Sequence, residues 1–393
     1  MSLSGFSQYT ASRREQGLLR ELRTEYGYGD RSGLHFCSND YLGLSQHPDV
    51  IAAFQRGLSE YGCGSGGSPL ICGHTSVHEE LSERLADWMQ RDRVLLFNSG
   101  YAANSGVLQA LSSTSSTLLF DKLNHASLYD GAQSSASTLL RFRHNDMNML
   151  AKQLTQLTPE QDALVVSEGV FSMDGDQIAL PECLHTLKEH RRQSDRESWL
   201  WIDDAHGVGV TGARRAGIAG MASQQDIAIV SGTFGKAFGL SGAYVACSSE
   251  LEDYFIQCSR HYIYSTAFSA AQACAILQAL SIIQQDDELQ QKLEFNIKLF
   301  RELASQRELS LLPSHTAIQP LLIGSSQKAV AYSEALKKQG VYCSAIRPPT
   351  VPPKQSRLRF TLSAAHSESD IEYLFTQLDR IHEQHPEFLQ NDA

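Results

Sequence analysis

The chain is 393 residues long, 42% hydrophobic and 20% charged, which suits two or three globular domains of roughly 150 residues each and argues against long disorder. Its 33 Lys and Arg against 44 Asp and Glu leave a net charge of −11. Such a chain is no general nucleic-acid binder, because duplex affinity rests on neutralising phosphates. No apolar run reaches the roughly 18–20 residues that span a bilayer, so neither a transmembrane helix nor a membrane partner is expected.

At the N-terminus the first 20 residues lack the apolar core of a signal peptide, and Glu15 and Glu21 sit among Arg13, Arg14 and Arg20. A cytoplasmic protein is expected. The eight cysteines form no C-x-x-C pair and read as reduced thiols rather than a disulfide framework or a metal site. Residues 1–43 are read as an N-terminal arm, 44–274 as a large domain and 275–393 as a small α+β domain. In the large domain, short apolar runs alternate with longer polar-patterned stretches: 94–97, 118–120, 163–166, 200–202, 227–230 and 243–246. Buried strands alternating with helices predict a mostly parallel α/β sheet. Ligands bind such sheets beyond the carboxyl ends of the strands. Further on, Leu289, Leu293, Ile297, Phe300 and Leu303 keep helical spacing, and strand-like stretches follow at 318–323, 341–346 and 357–362. A last helix runs through Ile371, Leu374, Phe375, Leu378 and Ile381, with Ser367 and Asp370 spaced as a capping pair.

The residues after the predicted strands carry the chemistry. Lys236 closes Ser231-Gly-Thr-Phe-Gly-Lys, directly after the 227–230 run. Glycines on both sides allow close backbone approach, Thr233 offers a hydroxyl suited to phosphate, and a desolvated lysine can form a Schiff base. The alternative is a solvated loop lysine. Asp203 ends the 200–202 run and His206 follows it. A carboxylate buried there needs a cationic partner such as a protonated pyridine nitrogen. The same residues also read as a helix cap with a core histidine, or as a metal site of Asp203, Asp204 and His206 suited to a hydrolase. Asn98-Ser-Gly-Tyr-Ala-Ala-Asn104 places small residues at a helix start, where anions bind. The glycine run 62–68 lacks the lysine of a phosphate loop and reads equally as a flexible turn. His125 and Ser172 follow two further strands.

Together these segments resemble the α-oxoamine synthases, pyridoxal-phosphate (PLP) enzymes of the aspartate-aminotransferase fold type. The resemblance runs from Ser38-Asn-Asp-Tyr-Leu-Gly-Leu44 to Arg357-Leu-Arg-Phe-Thr361 and includes Asn124-His-Ala-Ser127, Glu168-Gly-Val-Phe-Ser-Met-Asp-Gly175, Asp203-Asp-Ala-His-Gly207, Thr233-Phe-Gly-Lys236 and Ile346-Arg-Pro-Pro-Thr-Val-Pro352. One departure is Ser68-Pro-Leu-Ile-Cys-Gly73, which lacks an arginine common in relatives.

The resemblance implies a fold-type-I transferase: a large domain with a mostly parallel seven-stranded sheet flanked by helices, and a smaller α+β C-terminal domain. It implies that Lys236 carries PLP as a Schiff base and moves protons. Asp203 would pair with the ring nitrogen, His125 would stack on the ring, and His206 and Ser172 would bond near its 3-hydroxyl. Gly100, Tyr101 and Thr233 would hold the phosphate. Arg359 would grip the amino-acid carboxylate, and Arg20, Asn39 and Thr350 would contact substrate. The resemblance further implies a homodimer, with residues 64–68 and 264–266 reaching the partner's cofactor. Arg347-Pro-Pro-Thr350 and the arm bearing Arg20 favour the branch that joins L-alanine to a pimeloyl thioester, on CoA or acyl carrier protein, in biotin biosynthesis. Sister synthases for other amino acids and acyl groups share nearly all the cofactor residues. A non-catalytic subunit of the family would be expected to lack Lys236.

Overall fold

The computed structural model describes residues 3–16, 18–20, 22, 33–111, 116–158, 161–194 and 196–388. Helix α1 (Leu3–Glu15) precedes a short strand β1 (Leu34–His35) and helices α2 (Pro48–Tyr61) and α3 (Ser76–Met89). The alternating segment follows: β2 (Arg93–Phe97), α4 (Gly100–Ala110), β3 (Ser116–Asp121), α5 (Ala126–Gln133), β4 (Thr138–Phe142), α6 (Met147–Leu154), β5 (Asp162–Glu168), α7 (Leu180–Gln193), β6 (Ser198–Asp203), β7 (Ile229–Thr233) and β8 (Ala243–Cys247). Helices α8 (Ser249–Cys258), α9 (Arg260–Ile263), α10 (Ala270–Gln285) and α11 (Asp287–Gln306) lead to β9 (Ile318–Gly324), α12 (Ser326–Lys338), β10 (Val341–Tyr342), β11 (Ser344–Ile346), β12 (Ser356–Thr361) and α13 (Glu368–Gln384). No described helix is long and apolar enough to cross a membrane.

The seven-stranded sheet has the order β2-β8-β7-β6-β5-β3-β4, parallel except where β8 runs antiparallel to both its neighbours. Its strands are apolar on both faces because both faces are covered. Leu119, Val165, Leu200 and Ile202 enter one core cluster. Their chain neighbours Leu118, Leu164, Val166 and Trp201 enter a second, beneath α4 and α5. The period of two in side-chain direction sorts adjacent residues into these two cores.

All six runs predicted as strands lie in this sheet, with shifted ends. The run 227–230 starts two residues late, because Ile227 is drawn into a turn through its N–H to the Ser223 carbonyl (3.0 Å). The seventh strand, β4, has no predicted counterpart. It lies at the sheet edge with Thr138 and Arg141 exposed, so its apolar run is too short to stand out.

Three C-terminal strands form a second sheet, β11-β12-β9, all antiparallel. The predicted stretch 341–346 is broken, since β10 pairs instead with β1 in parallel. Residues 34–42 are therefore packed inside the molecule, with Phe36, Tyr41 and Leu42 buried. The Phe36 N–H bonds the Tyr342 carbonyl at 2.8 Å, and the Phe36 carbonyl accepts the Thr361 N–H at 2.8 Å.

Helix α13 opens on a capping box, with Ser367 Oγ accepting the Asp370 N–H at 3.2 Å and Asp370 Oδ2 accepting the Ser367 N–H at 2.8 Å. Ser367→Ala should lower unfolding free energy by about 1 kcal/mol in urea titrations while leaving cofactor content unchanged. A loss indistinguishable from zero would show that the cap contributes nothing.

Candidate active site

The chemistry gathers where the parallel strands end. Beyond β2 come Asn98 to Tyr101, beyond β3 His125, beyond β5 Ser172, beyond β6 His206, and beyond β7 Lys236. Asp203 is the last residue of β6 and Thr233 the last of β7. In register, Glu168 stands opposite Asp203, and Asp203 opposite Ser231. These side chains leave the sheet on the face covered by α4 and α5.

Asp203 is buried and held from two sides. Asn104 Nδ2 donates to its Oδ2 at 2.6 Å, and the Ala205 N–H donates to its Oδ1 at 3.1 Å. Asn104 is itself oriented, because its Oδ1 accepts from Ser231 Oγ at 2.8 Å while Ser231 Oγ accepts from Trp201 Nε1 at 3.0 Å. Asp204, the next residue, points to the other face. Its Oδ2 accepts the Ile218 N–H at 2.6 Å. A Cβ built on Gly169, Gly207 or Gly217 would fall within 2.2 Å of an Asp204 oxygen, so those glycines leave the space this carboxyl fills. Burial pushes Asp204 up to about 8. Asp203, Asp204 and His206 thus diverge, and the arrangement does not suit a shared metal.

Lys236 Nζ makes no hydrogen bond to any described residue. Desolvation lowers its ammonium to about 8, opposed by the nearby carboxylates of Asp203 and Glu168 and reinforced by Arg359. The uncharged amine is therefore far more accessible near neutral pH than in an exposed lysine. Both histidines are neutral, for the same reason of burial: His125 is lowered, and His206 is lowered well below its usual range. His125 Nδ1 accepts the Ser127 N–H at 3.3 Å, so its proton sits on Nε2, and its ring meets the Tyr101 ring edge-on with centroids 6.4 Å apart. His206 Nδ1 is held by the Tyr41 hydroxyl at 2.5 Å.

Arg359 is buried on β12 and reaches across to this cluster. Its Nε donates to the Ser172 carbonyl at 2.7 Å, Nη1 to Thr361 Oγ1 at 3.0 Å and Nη2 to Asn39 Oδ1 at 3.2 Å. These bonds use three of the five N–H donors of a guanidinium, and the Tyr41 side chain is a further hydrogen-bond partner. A fork of that kind matches a carboxylate.

At the start of α4, Ser99 Oγ caps the Ala102 N–H at 3.2 Å, and no described group bonds the N–H of Gly100 or Tyr101. A Cβ on Gly100 would meet nothing nearer than Thr233 Cβ at 3.9 Å, so the helix start is open. Thr233 Oγ1 donates to the Gly242 carbonyl at 2.9 Å and accepts the Gly235 N–H at 3.1 Å, so it must turn to donate elsewhere. The Tyr101 hydroxyl bonds Asp130. The glycine run meets Ala267, the residue just after the 264–266 segment, with Ser65 Oγ donating to the Ala267 carbonyl at 2.7 Å.

The structure thus brings Lys236, Asp203, His125, His206, Ser172, Thr233, Gly100, Tyr101, Asn39 and Arg359 to the strand ends and the loops that face them. Arg20 and Thr350 are exposed, and no contact among the described residues joins either to this cluster. Sequence reasoning missed Tyr41, Asn104, Glu168 and Ser231 as individual site residues. Each lies inside or beside a segment singled out by its motif, but its partner is distant in the chain, and only folding reveals the pairing.

The sequence matches the aminotransferase class I and II family over residues 31–378. A curated 8-amino-7-oxononanoate synthase of Pectobacterium atrosepticum is 47% identical over 352 residues, 89% of each chain. The chain belongs to the 8-amino-7-oxononanoate synthase family. A solved structure of that enzyme from Francisella tularensis superposes with a TM-score of 0.77 at 26% identity, covering 91% of this chain and 100% of the other. A structure of SPT with PLP superposes with a TM-score of 0.89 at 25% identity, covering 98% and 99%. The family is PLP-dependent and its fold is that of the type I transferases.

The segment carrying Ser172 is held by charge. His144 lies between Asp121, at 3.1 Å from Nδ1, and Asp176, at 2.6 Å from Nε2. Burial alone would lower this histidine, but the hydrogen bonds and charges of the two carboxylates outweigh it and raise it to about 10. A raised histidine contributes stability that is complete below its unfolded value near 6.5 and is lost as pH rises through the folded value. Unfolding free energy should therefore fall between pH ~6.5 and ~10, and His144→Gln should flatten that window. An identical pH dependence in both proteins would mean His144 is not the titrating group.

Proposed function

We propose that this chain condenses L-alanine with a pimeloyl thioester, on CoA or acyl carrier protein, giving 8-amino-7-oxononanoate, CO2 and the free thiol in biotin biosynthesis. PLP is the cofactor and Lys236 the amine that takes its aldehyde. The observation that carries the reading is the convergence of Lys236, Asp203, two neutral histidines and Arg359 beyond the ends of the parallel strands, in a chain 47% identical to a named 8-amino-7-oxononanoate synthase. The residues fit PLP. The open first turn of α4 offers two unbonded N–H groups to a phosphate, and a buried carboxylate stands ready for a cationic ring nitrogen. When bound, PLP supplies a ring that stores the electrons released at the amino-acid α-carbon.

The protein's own groups divide the remaining work. Lys236, poised near pH 8 by burial, takes and returns the α-proton. Asp203, fixed by Asn104 and the Ala205 N–H, would pair with the ring nitrogen. His125 offers a neutral flat face, and His206 and Ser172 bond the 3-hydroxyl region. Gly100, Tyr101 and a turned Thr233 hold the phosphate. Arg359 binds the alanine carboxylate through its guanidinium fork, with Asn39 setting the angle of the fork. Arg20 and Thr350 meet the acyl substrate, which suits their exposure. The reading includes a cytoplasmic homodimer, supported by exposed apolar side chains at Leu70, Ile71 and Tyr264. It also takes 44–274 as the large domain and 275–393 as the small one.

An assay crossing alanine, glycine and serine with pimeloyl, acetyl, succinyl and palmitoyl thioesters tests the substrate assignment. Alanine with the pimeloyl thioester should give the highest kcat/KM, and preference for any other pair would overturn it. Asp203→Asn should retain cofactor and fold while turnover falls by at least about 10²-fold. Near-normal turnover would refute the role of Asp203.

A further inference from the structure

Residues 169–178 form a hairpin between β5 and α7, closed by the Phe171 N–H to the Asp176 carbonyl (2.9 Å) and the Gly175 N–H to the Phe171 carbonyl (2.8 Å). Its tip is seated on the loop that leads into β9 of the C-terminal sheet. The Gly175 carbonyl accepts from Ser314 Oγ at 2.9 Å and Thr316 Oγ1 at 3.0 Å. Gly175 has φ +72°, and a Cβ there would lie 2.5 Å from the Ile318 carbonyl oxygen, so the seat admits only glycine without rearrangement.

Two arginines of β12 hold this hairpin. Arg357 and Arg359 are two residues apart and leave the strand on the same face. Arg359 takes the Ser172 carbonyl, while Arg357, 1% exposed, ion-pairs with Asp174 and also donates to the Gln355 carbonyl at 3.0 Å. The hairpin residues bonded, 172 and 174, have the same two-residue spacing as the arginines. Beside its bonds to Thr361 and Asn39, Arg359 is thus seated on the hairpin. Its Nε is pinned to a backbone carbonyl whose place is set two residues along by the Asp174–Arg357 pair.

We propose that Asp174 and Arg357 are a positioning pair that sets where Arg359 presents its fork, and thereby the affinity for the amino-acid substrate. The proposal rests on the reading that Arg359 binds the amino-acid carboxylate. A buried arginine at 357 matched by a carboxylate is kept from competing for that carboxylate, and the hairpin transmits its position to Ser172. Neither residue of the pair touches the reacting atoms.

The test uses the cofactor-loaded enzyme with Asp174→Asn and Asp174→Glu, beside Arg359→Lys. Measured are KM for alanine, KM for the pimeloyl thioester, kcat, PLP affinity and Tm. Asp174→Asn should raise the alanine KM roughly tenfold, the scale of one lost charge-assisted contact, with the thioester KM, kcat and PLP affinity within about twofold. Asp174→Glu, which keeps the charge, should recover most of the loss. If Asp174→Asn does not fold, Arg357→Lys should show the same selective rise. An unchanged alanine KM, or equal losses in both KM values and kcat, would overturn the proposal. Arg359→Lys separates the two readings. If it raises the alanine KM while Asp174→Asn does not, only the positioning pair fails. If it leaves the alanine KM unchanged, the carboxylate assignment fails and the pair with it.

Discussion

A carboxylate removed from water at the end of a central strand governs this structure. Asp203 closes β6 in a place where a lone charge would be costly, and the surrounding sequence is arranged to tolerate it. Asn104 and the Ala205 N–H supply donors, Ser231 and Trp201 fix Asn104, and Lys236 follows the adjacent strand. The neighbouring carboxyls do not add to its charge. Burial first, and the proximity of Asp203 second, raise Glu168 well above its usual range, and burial raises Asp204. Two of the three buried acids, Glu168 and Asp204, are thus pushed toward the neutral form, beside an amine that the same burial pushes toward neutrality. A site of that kind favours a cationic ring.

Much of this was legible before folding because it is local. A strand's apolar run and the residue following it are adjacent in the chain, so Lys236, Asp203, His125 and Ser172 could be placed at strand ends by the alternation alone. The glycines beside Lys236 and around Asp203 carried the same signal. The capping pair Ser367 and Asp370 was equally local. Strand β4 escaped because an edge strand needs no continuous apolar run.

What stayed hidden depends on long-range contact. Tyr41 meets His206 across 165 positions and Asn39 meets Arg359 across 320. No periodicity reports such a pair. The β1–β10 pairing likewise joins residues 34 and 341, packing the end of the N-terminal arm into the molecule. The hairpin at 169–178 was read for Ser172 alone, although its acidic residues do the holding: Asp174 toward β12 and Asp176 toward His144. The C-terminal sheet therefore reaches the site through one arginine and braces it through another.

The central claim is that Lys236 is the residue that takes the cofactor. Borohydride reduction of the purified, PLP-loaded enzyme, followed by proteolysis and mass spectrometry, tests it most directly. The account predicts the added mass of reduced PLP on the peptide containing Lys236. The same mass on a peptide bearing any other lysine, with Lys236 unmodified, would contradict it.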